Sequence, residues 1–273
     1  MHPILIDFGT HDLPFFGSTH LFLPTYGVLF ALSVVVAWFW FNRRARTLGV
    51  DDDQLFNLTF YALLGGIVGA KLLLVLIEWR SYLRNPEQLL GTLRSAGVLA
   101  GGVILGALTF LFYARRKGMP VYALGDAIAA PLVFAQGIGR LGCFSAGCCW
   151  GVGTHAEHPL AIVFTDSFSG AHTGVPLNTP LIATQLIQAI VDLGLAVVLT
   201  WLWHRRPQPP GSVFWYYVLL YSIARGTIEF WRGDVVRGVY FGGAVSTSQL
   251  LALAGVVFAV IMLARGRRRP AEA

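Results

Sequence analysis

Charged residues are scarce in this 273-residue chain: they make up 12% of it, and hydrophobic residues 55%. A soluble domain carries roughly 25% charged residues. That deficit excludes an ordinary soluble domain and indicates an integral membrane protein. Cysteine is nearly absent as well. All three cysteines lie in one stretch, GIGRLGCFSAGCCWG at 137–151, which leaves room for one disulfide at most. No basic region precedes the first apolar run, so a cleaved signal peptide is not expected. Residues 1–22 hold Pro3, Pro14, Phe15 and Phe16 without helical spacing and read as an ordered segment lying at the outer interface. No internal repeat and no separable soluble domain is visible, so 1–273 reads as a single membrane domain. Paired, broken half-helices of the transporter kind are missing too, which ranks transport of an anionic solute last.

The charge that is present has a pattern. The net charge is +6, and more than half of the 20 lysines and arginines fall in four short clusters beside apolar runs. These are Arg43, Arg44 and Arg46; Arg115, Arg116 and Lys117; Arg205 and Arg206; and Arg265, Arg267, Arg268 and Arg269. Such placement is that of cytoplasmic membrane loops rather than of a nucleic-acid surface, and no nucleic-acid partner is expected. A crossing helix needs about 20 apolar residues. The candidates are 23–41, 55–78, 97–114, 121–139, 181–203, 212–231 and 244–264. The chain therefore reads as all-α, with seven spans, the N-terminus outside and the C-terminus inside. The outer loops become 79–96, 140–180 and 232–243. The longest of them, 140–180, holds His155, His158 and His172 and shows no strong strand pattern.

Ionisable groups inside spans are costly and mark functional sites by default. Here they are Lys71, Asp126, Asp192, Arg225 and Glu229, with Arg140 at the outer end of the fourth span. Tyr221, Arg225 and Glu229 recur every fourth residue and share one helix face, which Arg232 extends. For Arg225 and Glu229 a structural ion pair is the competing reading; for Asp192 it is bundle packing. Three arginines near the outer half of the membrane, Arg140, Arg225 and Arg232, suit an anion, because guanidinium binds phosphate through paired hydrogen bonds. A phosphate at that depth belongs to a phospholipid. Gly137, Gly139, Gly142 and Gly147 permit close approach of backbone or ligand around Arg140.

Six motifs in order then resemble those of the prolipoprotein diacylglyceryl transferases. They are LPTYGVLFALS with Tyr26, GGIVGAKL with Lys71 where that family usually has arginine, and LGDAIAAPLVFAQGIGRLG with Asp126, Gln136, Gly139, Arg140 and Gly142. ATQLIQA carries Gln185, LYSIARGTIEFWRGD carries Tyr221, Arg225, Glu229 and Arg232, and STSQLL carries Gln249. The resemblance implies a seven-span enzyme of the bacterial inner membrane with its active site toward the periplasmic leaflet. It would move diacylglyceryl from phosphatidylglycerol to the lipobox cysteine of an exported lipoprotein precursor, releasing glycerol phosphate. It implies catalytic roles for Arg140, Arg225, Glu229, Tyr26 and Tyr221. Substrate binding would fall to Arg140, Arg225, Arg232, Lys71, Gln136, Gly139, Gly142, Gln185 and Gln249. No cofactor is expected and no metal is assigned.

The chain also departs from that family. Its third-span His-Gly-Gly reads LAGG here, with Ala100 at the histidine position. The signature's two asparagines and glutamate are replaced by Cys143, Ala146 and Cys148, and the fifth-span tyrosine and glutamate by Ile187 and Gln188. A non-catalytic or redirected lipid-binding paralogue with thiol-based chemistry or sensing is the alternative. Cys143, Cys148 and Cys149 admit several readings: a disulfide from Cys143 to Cys148 or Cys149, a covalent relay, acyl exchange through a thioester, a zinc site completed by His155 or His158, or inert burial. Glu229 or one of the loop histidines could serve as the base in place of the missing histidine.

Overall fold

A computed structural model describes residues 2–13, 17–85, 97–205, 209–234, 238–240 and 245–266, with the backbone alone at 12, 13, 17–19 and 239. The expected features at Pro14, Phe15, Phe16, Arg206 and Arg267 to Arg269, and parts of the loops 79–96 and 232–243, lie outside the described residues. The chain forms two compact units, one of residues 1–41 with 125–273 and one of residues 42–124.

The smaller unit is a helical hairpin. It is built on α2 (Asp52–Ile77) and α4 (Leu99–Arg116), with the short α3 (Trp79–Arg84) between them. Asp51 starts α2 by accepting a hydrogen bond from the Asp53 amide, as N-terminal caps do. In lipid, packing comes from small residues that let backbones approach. A Cβ on Gly69 would run into the Gly101 carbonyl and the Leu105 Cβ; one on Gly101 would strike Gly69 and Leu73. This unit also holds Lys71, half-buried on α2.

The larger unit begins with an antiparallel hairpin of β1 (Ile4–Leu13) and β2 (Gly17–Pro24), which leads straight into α1 (Thr25–Arg46). The Thr25 amide donates to the Pro3 carbonyl (2.9 Å) and ties the hairpin to the helix start. The core helices are α5 (Val121–Ala146), α7 (Thr184–His204), α8 (Ser212–Ile228) and α9 (Thr247–Gly266). Ala129, Ala130 and Val133 of α5, Ala196 and Leu199 of α7, and Val213 and Tyr217 of α8 form one buried core. Asp126 is one of the expected intramembrane charges, and its task is structural. Its carboxylate accepts from the Gly211 amide (2.6 Å) and the Phe214 amide (2.8 Å), capping α8 from a neighbouring helix.

Between α5 and α7 the chain folds into a small cap. The strands β3 (Ala161–Val163) and β4 (Pro180–Ile182) pair antiparallel, and α6 (Ser167–Thr173) sits between them in sequence. Phe164, Val175 and Leu181 are its buried centre. Two further strands, β5 (Val239–Tyr240) and β6 (Val245–Ser246), pair just before α9.

These elements refine the expectation from sequence. The fold is mostly helical, yet the N-terminal hairpin and the β3–β4 pair depart from an all-α reading. Strand pairing at 4–24 arises without strict alternation because β1 carries register shifts between Ile4 and Ile6 and between Asp7 and Gly9. Among the described residues, six helices are long and apolar enough to cross a membrane: Thr25–Arg46, Asp52–Ile77, Leu99–Arg116, Val121–Ala146, Thr184–His204 and Thr247–Gly266. The expected span at 212–231 is a 17-residue helix, Ser212–Ile228, followed by one 3-10 turn, Glu229–Trp231.

The glycine contact in the smaller unit makes a direct prediction. Gly69→Val forces α2 and α4 apart and lowers stability by about 1–3 kcal/mol. Thermal unfolding of the detergent-solubilised protein should show a fall in Tm; an unchanged Tm contradicts the close packing.

Candidate functional site

The site grows from the end of α5. This helix runs past the expected boundary at 139 to Ala146, so Arg140 and Cys143 lie inside it, on one face three residues apart. Gly147 then takes a left-handed conformation (φ 74°). Its amide donates to the Phe144 carbonyl (3.2 Å), and the Cys148 amide donates to the Cys143 carbonyl (3.0 Å). This is the Schellman ending, in which the residues flanking the reversal are brought into side-chain contact. Here those residues are Cys143 and Cys148. A Cβ at position 147 would also press on Ser169, so the turn requires glycine twice over.

Cys149 is again left-handed (φ 63°), a conformation that a non-glycine residue rarely adopts. Two buried side chains at the start of α7 hold it there. Gln185 Nε2 donates to the Cys148 carbonyl (2.8 Å) and Thr184 Oγ1 to the Cys149 carbonyl (2.9 Å). The three sulfurs lie within 4.8 Å of one another, and all three are free thiols. His155 and His158 do not join this group, since the sulfurs assemble from the helix ending alone.

Arg140 hydrogen-bonds to the Tyr221 hydroxyl and lies in the field of Cys143, Cys149 and Asp192. Among the described residues, no carboxylate makes an ion pair with Arg140. Arg225, one turn beyond Tyr221 on α8, pairs with Glu229 (Nη1 to Oε2, 2.5 Å) and donates from Nη2 to Ser248 Oγ (3.0 Å). Glu229 is buried at the C-terminus of that helix. Asp192 is fully buried on α7, accepts from Gln188 Nε2 (2.7 Å), and interacts with both Arg140 and Arg225. Arg140, Tyr221, Arg225 and Asp192 thus form one polar cluster. The competing reading for Asp192, bundle packing, does not by itself put it beside the arginines. The signal that places it is its spacing of four from Gln188, which puts both on one helix face.

The other expected site residues divide. Tyr26, the second residue of α1, lies against Gly142 and borders the three thiols and Arg140. Gln136 accepts from the Tyr217 hydroxyl (3.2 Å), and space is open beside Gly139. Arg232 holds Asp234 through two guanidinium hydrogen bonds of 2.7 and 2.5 Å. Gln249 caps α9, accepting from the Ser246 amide (2.9 Å) while its own amide donates to Ser246 Oγ (3.2 Å). It also lines an apolar groove of about 440 Å³ between α8 and α9, with Ser222, Gly226, Phe230 and Leu253. Lys71 lies in the other compact unit.

The thiols are electrostatically unequal. Hydrogen bonds from Cys143 and Cys148, helped by the Arg232 and Arg140 charges, hold the Cys149 thiol well below its ordinary range. Hydrogen bonding to Cys143 and Cys149, and burial, push Cys148 up. Cys149 is therefore a thiolate at a pH where an ordinary thiol, with pKa of about 8.5, is protonated. In detergent-solubilised, EDTA-treated protein, brief iodoacetamide treatment at about pH 6 should label Cys149 before Cys148. Peptide mass spectrometry reads the order; equal labelling, or Cys148 first, contradicts this assignment.

Residues 15–265 match the family described as prolipoprotein diacylglyceryl transferase. Curated relatives cover nearly the same length. A phosphatidylglycerol–prolipoprotein diacylglyceryl transferase of Clostridium tetani is 33% identical over 87% of this chain and 90% of its own. A second, numbered 2, from Clostridium perfringens is 31% identical over 91% and 94%. One from Geobacter sulfurreducens is 30% identical over 93% and 96%. With this coverage joined to the Arg140, Tyr221 and Arg225 cluster, the chain belongs to the prolipoprotein diacylglyceryl transferase family.

Proposed function

We propose that this protein transfers a diacylglyceryl group from phosphatidylglycerol to the cysteine thiol of an exported lipoprotein precursor. The observation that carries the reading is Arg140. It is held beside Tyr221 with no carboxylate in ion-pair contact among the described residues, while Arg225 and Arg232 each have one. A guanidinium in a low-dielectric site needs an anion, and a lipid phosphate supplies it in bidentate form.

In this mechanism the head group enters between helices from the bilayer. The apolar groove between α8 and α9, on the helix that carries Arg225, suits an acyl chain. Arg140 holds the phosphate, and Arg225, kept in place by Glu229 and Ser248, faces the same charge. Tyr26 and Tyr221 orient the glycerol end. The acceptor thiolate attacks the glyceryl carbon bearing the phosphate ester; the carbon–sulfur bond forms, the carbon–oxygen bond breaks, and the electron pair leaves on glycerol phosphate. Arginine charge stabilises that developing anion. The chain spans the bacterial inner membrane seven times, N-terminus outside and C-terminus inside, with α8 as a short sixth span and the site toward the periplasmic leaflet. The four basic clusters support this orientation.

The test is complementation of a strain depleted of its own transferase, with lipoprotein lipidation read by mass spectrometry. The wild-type chain should restore the modification. Arg140→Lys, which keeps the charge and loses the planar fork, should lower transfer by about 10²-fold or more. No modified product at normal protein levels overturns the proposal and favours the lipid-binding alternative.

A further inference from the structure

The reaction proposed above needs a thiolate nucleophile, yet a cysteine thiol with pKa of about 8.5 is mostly protonated near neutral pH. Beside Arg140 the chain gathers three sulfurs on a rigid backbone. We propose that Cys143, Cys148 and Cys149 hold one zinc ion, and that its fourth position takes the acceptor cysteine thiol and converts it to the attacking thiolate. This rests on the transfer reaction for the acceptor's role; the metal site itself stands on the cluster alone.

Four observations carry it. First, the sulfurs lie within 4.8 Å of one another. A tetrahedral zinc with Zn–S of about 2.3 Å asks for sulfurs about 3.8 Å apart, which small side-chain rotations reach. Secondly, the backbone is built for convergence. The reversal at Gly147 pairs Cys143 with Cys148, and left-handed Cys149 brings a third sulfur back to the same point. Adjacent cysteines are an awkward ligand spacing in a regular helix or strand; here the turn resolves it. A left-handed non-glycine residue is strained and persists only where its surroundings fix it. Gln185 and Thr184 do so by gripping the carbonyls of Cys148 and Cys149.

Thirdly, three thiolates around Zn2+ leave one net negative charge, and the positive charges of Arg232 and Arg140 both reach Cys149, so that charge is offset with one guanidinium to spare. Fourthly, no histidine, aspartate or glutamate completes the set among the described residues. Three protein ligands and an open position are the pattern of catalytic zinc, and all-sulfur donors select a soft ion of this kind. The step balances. A zinc-bound hydroxide takes the acceptor's proton and leaves as water, and the acceptor sulfur takes its place as thiolate. That sulfur then forms the bond to the glyceryl carbon while the phosphate oxygen departs with the bonding pair. The thioether product is neutral and a weak ligand, so it dissociates.

The experiment uses the full chain purified in detergent under reducing, anaerobic conditions. Elemental analysis after zinc titration and gel filtration should give one zinc per chain. Each of Cys143→Ser, Cys148→Ser and Cys149→Ser should weaken binding by about tenfold or more while the protein stays monodisperse. In the cobalt-substituted wild-type protein, a peptide with a lipobox-type cysteine should intensify the sulfur-to-cobalt charge-transfer band, and its serine analogue should not. No zinc retained by the reduced wild-type protein overturns the metal site. A cobalt spectrum indifferent to the peptide overturns the acceptor's role. Full transfer by chelator-treated, zinc-free protein sinks this inference and leaves the transfer reading intact. Zinc and peptide ligation without any transfer sinks the transfer reading and leaves the metal site standing.

Discussion

An arginine within a long apolar helix and, among the described residues, without a carboxylate in ion-pair contact is the constraint around which this structure is arranged. Burying a guanidinium is costly unless it is paired and hydrogen-bonded. Elsewhere in the larger unit the chain meets that cost internally: Arg225 with Glu229 and Arg232 with Asp234. At Arg140 it supplies the Tyr221 hydroxyl and the nearby thiols instead. Asp192, held by Gln188, tempers the field on both Arg140 and Arg225 without ion-pairing to either.

The same helix ending serves two purposes. Because α5 continues to Ala146, Arg140 is held by regular helical backbone rather than a loop. Because Gly147 reverses the chain, the thiols that follow are folded back toward that arginine. The cap then locks the reversal: Thr173 Oγ1 donates to the Gly147 carbonyl (2.9 Å), and Gly151 bridges to Arg232. A site on a loop would drift by more than phosphate recognition tolerates. One built on a helix end and clamped by α7 holds its geometry.

Much of this was legible from residue types and spacing. The apolar runs give the long helices, since period and length suffice for that. The Tyr221, Arg225, Glu229 stripe follows from spacing of four, and the structure turns it into a real ion pair. What stayed hidden depends on distant partners. Nothing local says that Asp126 caps α8, 85 residues away in sequence, or that Gln185 reaches back to Cys148. Nor does residue type alone show that Arg232 is held by Asp234, two positions on. Gln249 also closes a capping box with Ser246, three positions earlier, a pairing that the spacing makes readable. The apolar run thins at 139, so hydropathy bounds the span there while the helix continues to Ala146. Gly147, a helix-ending glycine, was the better marker.

Retention of lipid by the intact protein bears most directly on the central claim. Native mass spectrometry of protein extracted gently from membranes containing phosphatidylglycerol should show one phosphatidylglycerol bound to the wild-type chain. Under the same activation, Arg140→Ala should have lost it. Equal retention by both proteins would mean that Arg140 does not hold the phosphate, and the account built on it would fail.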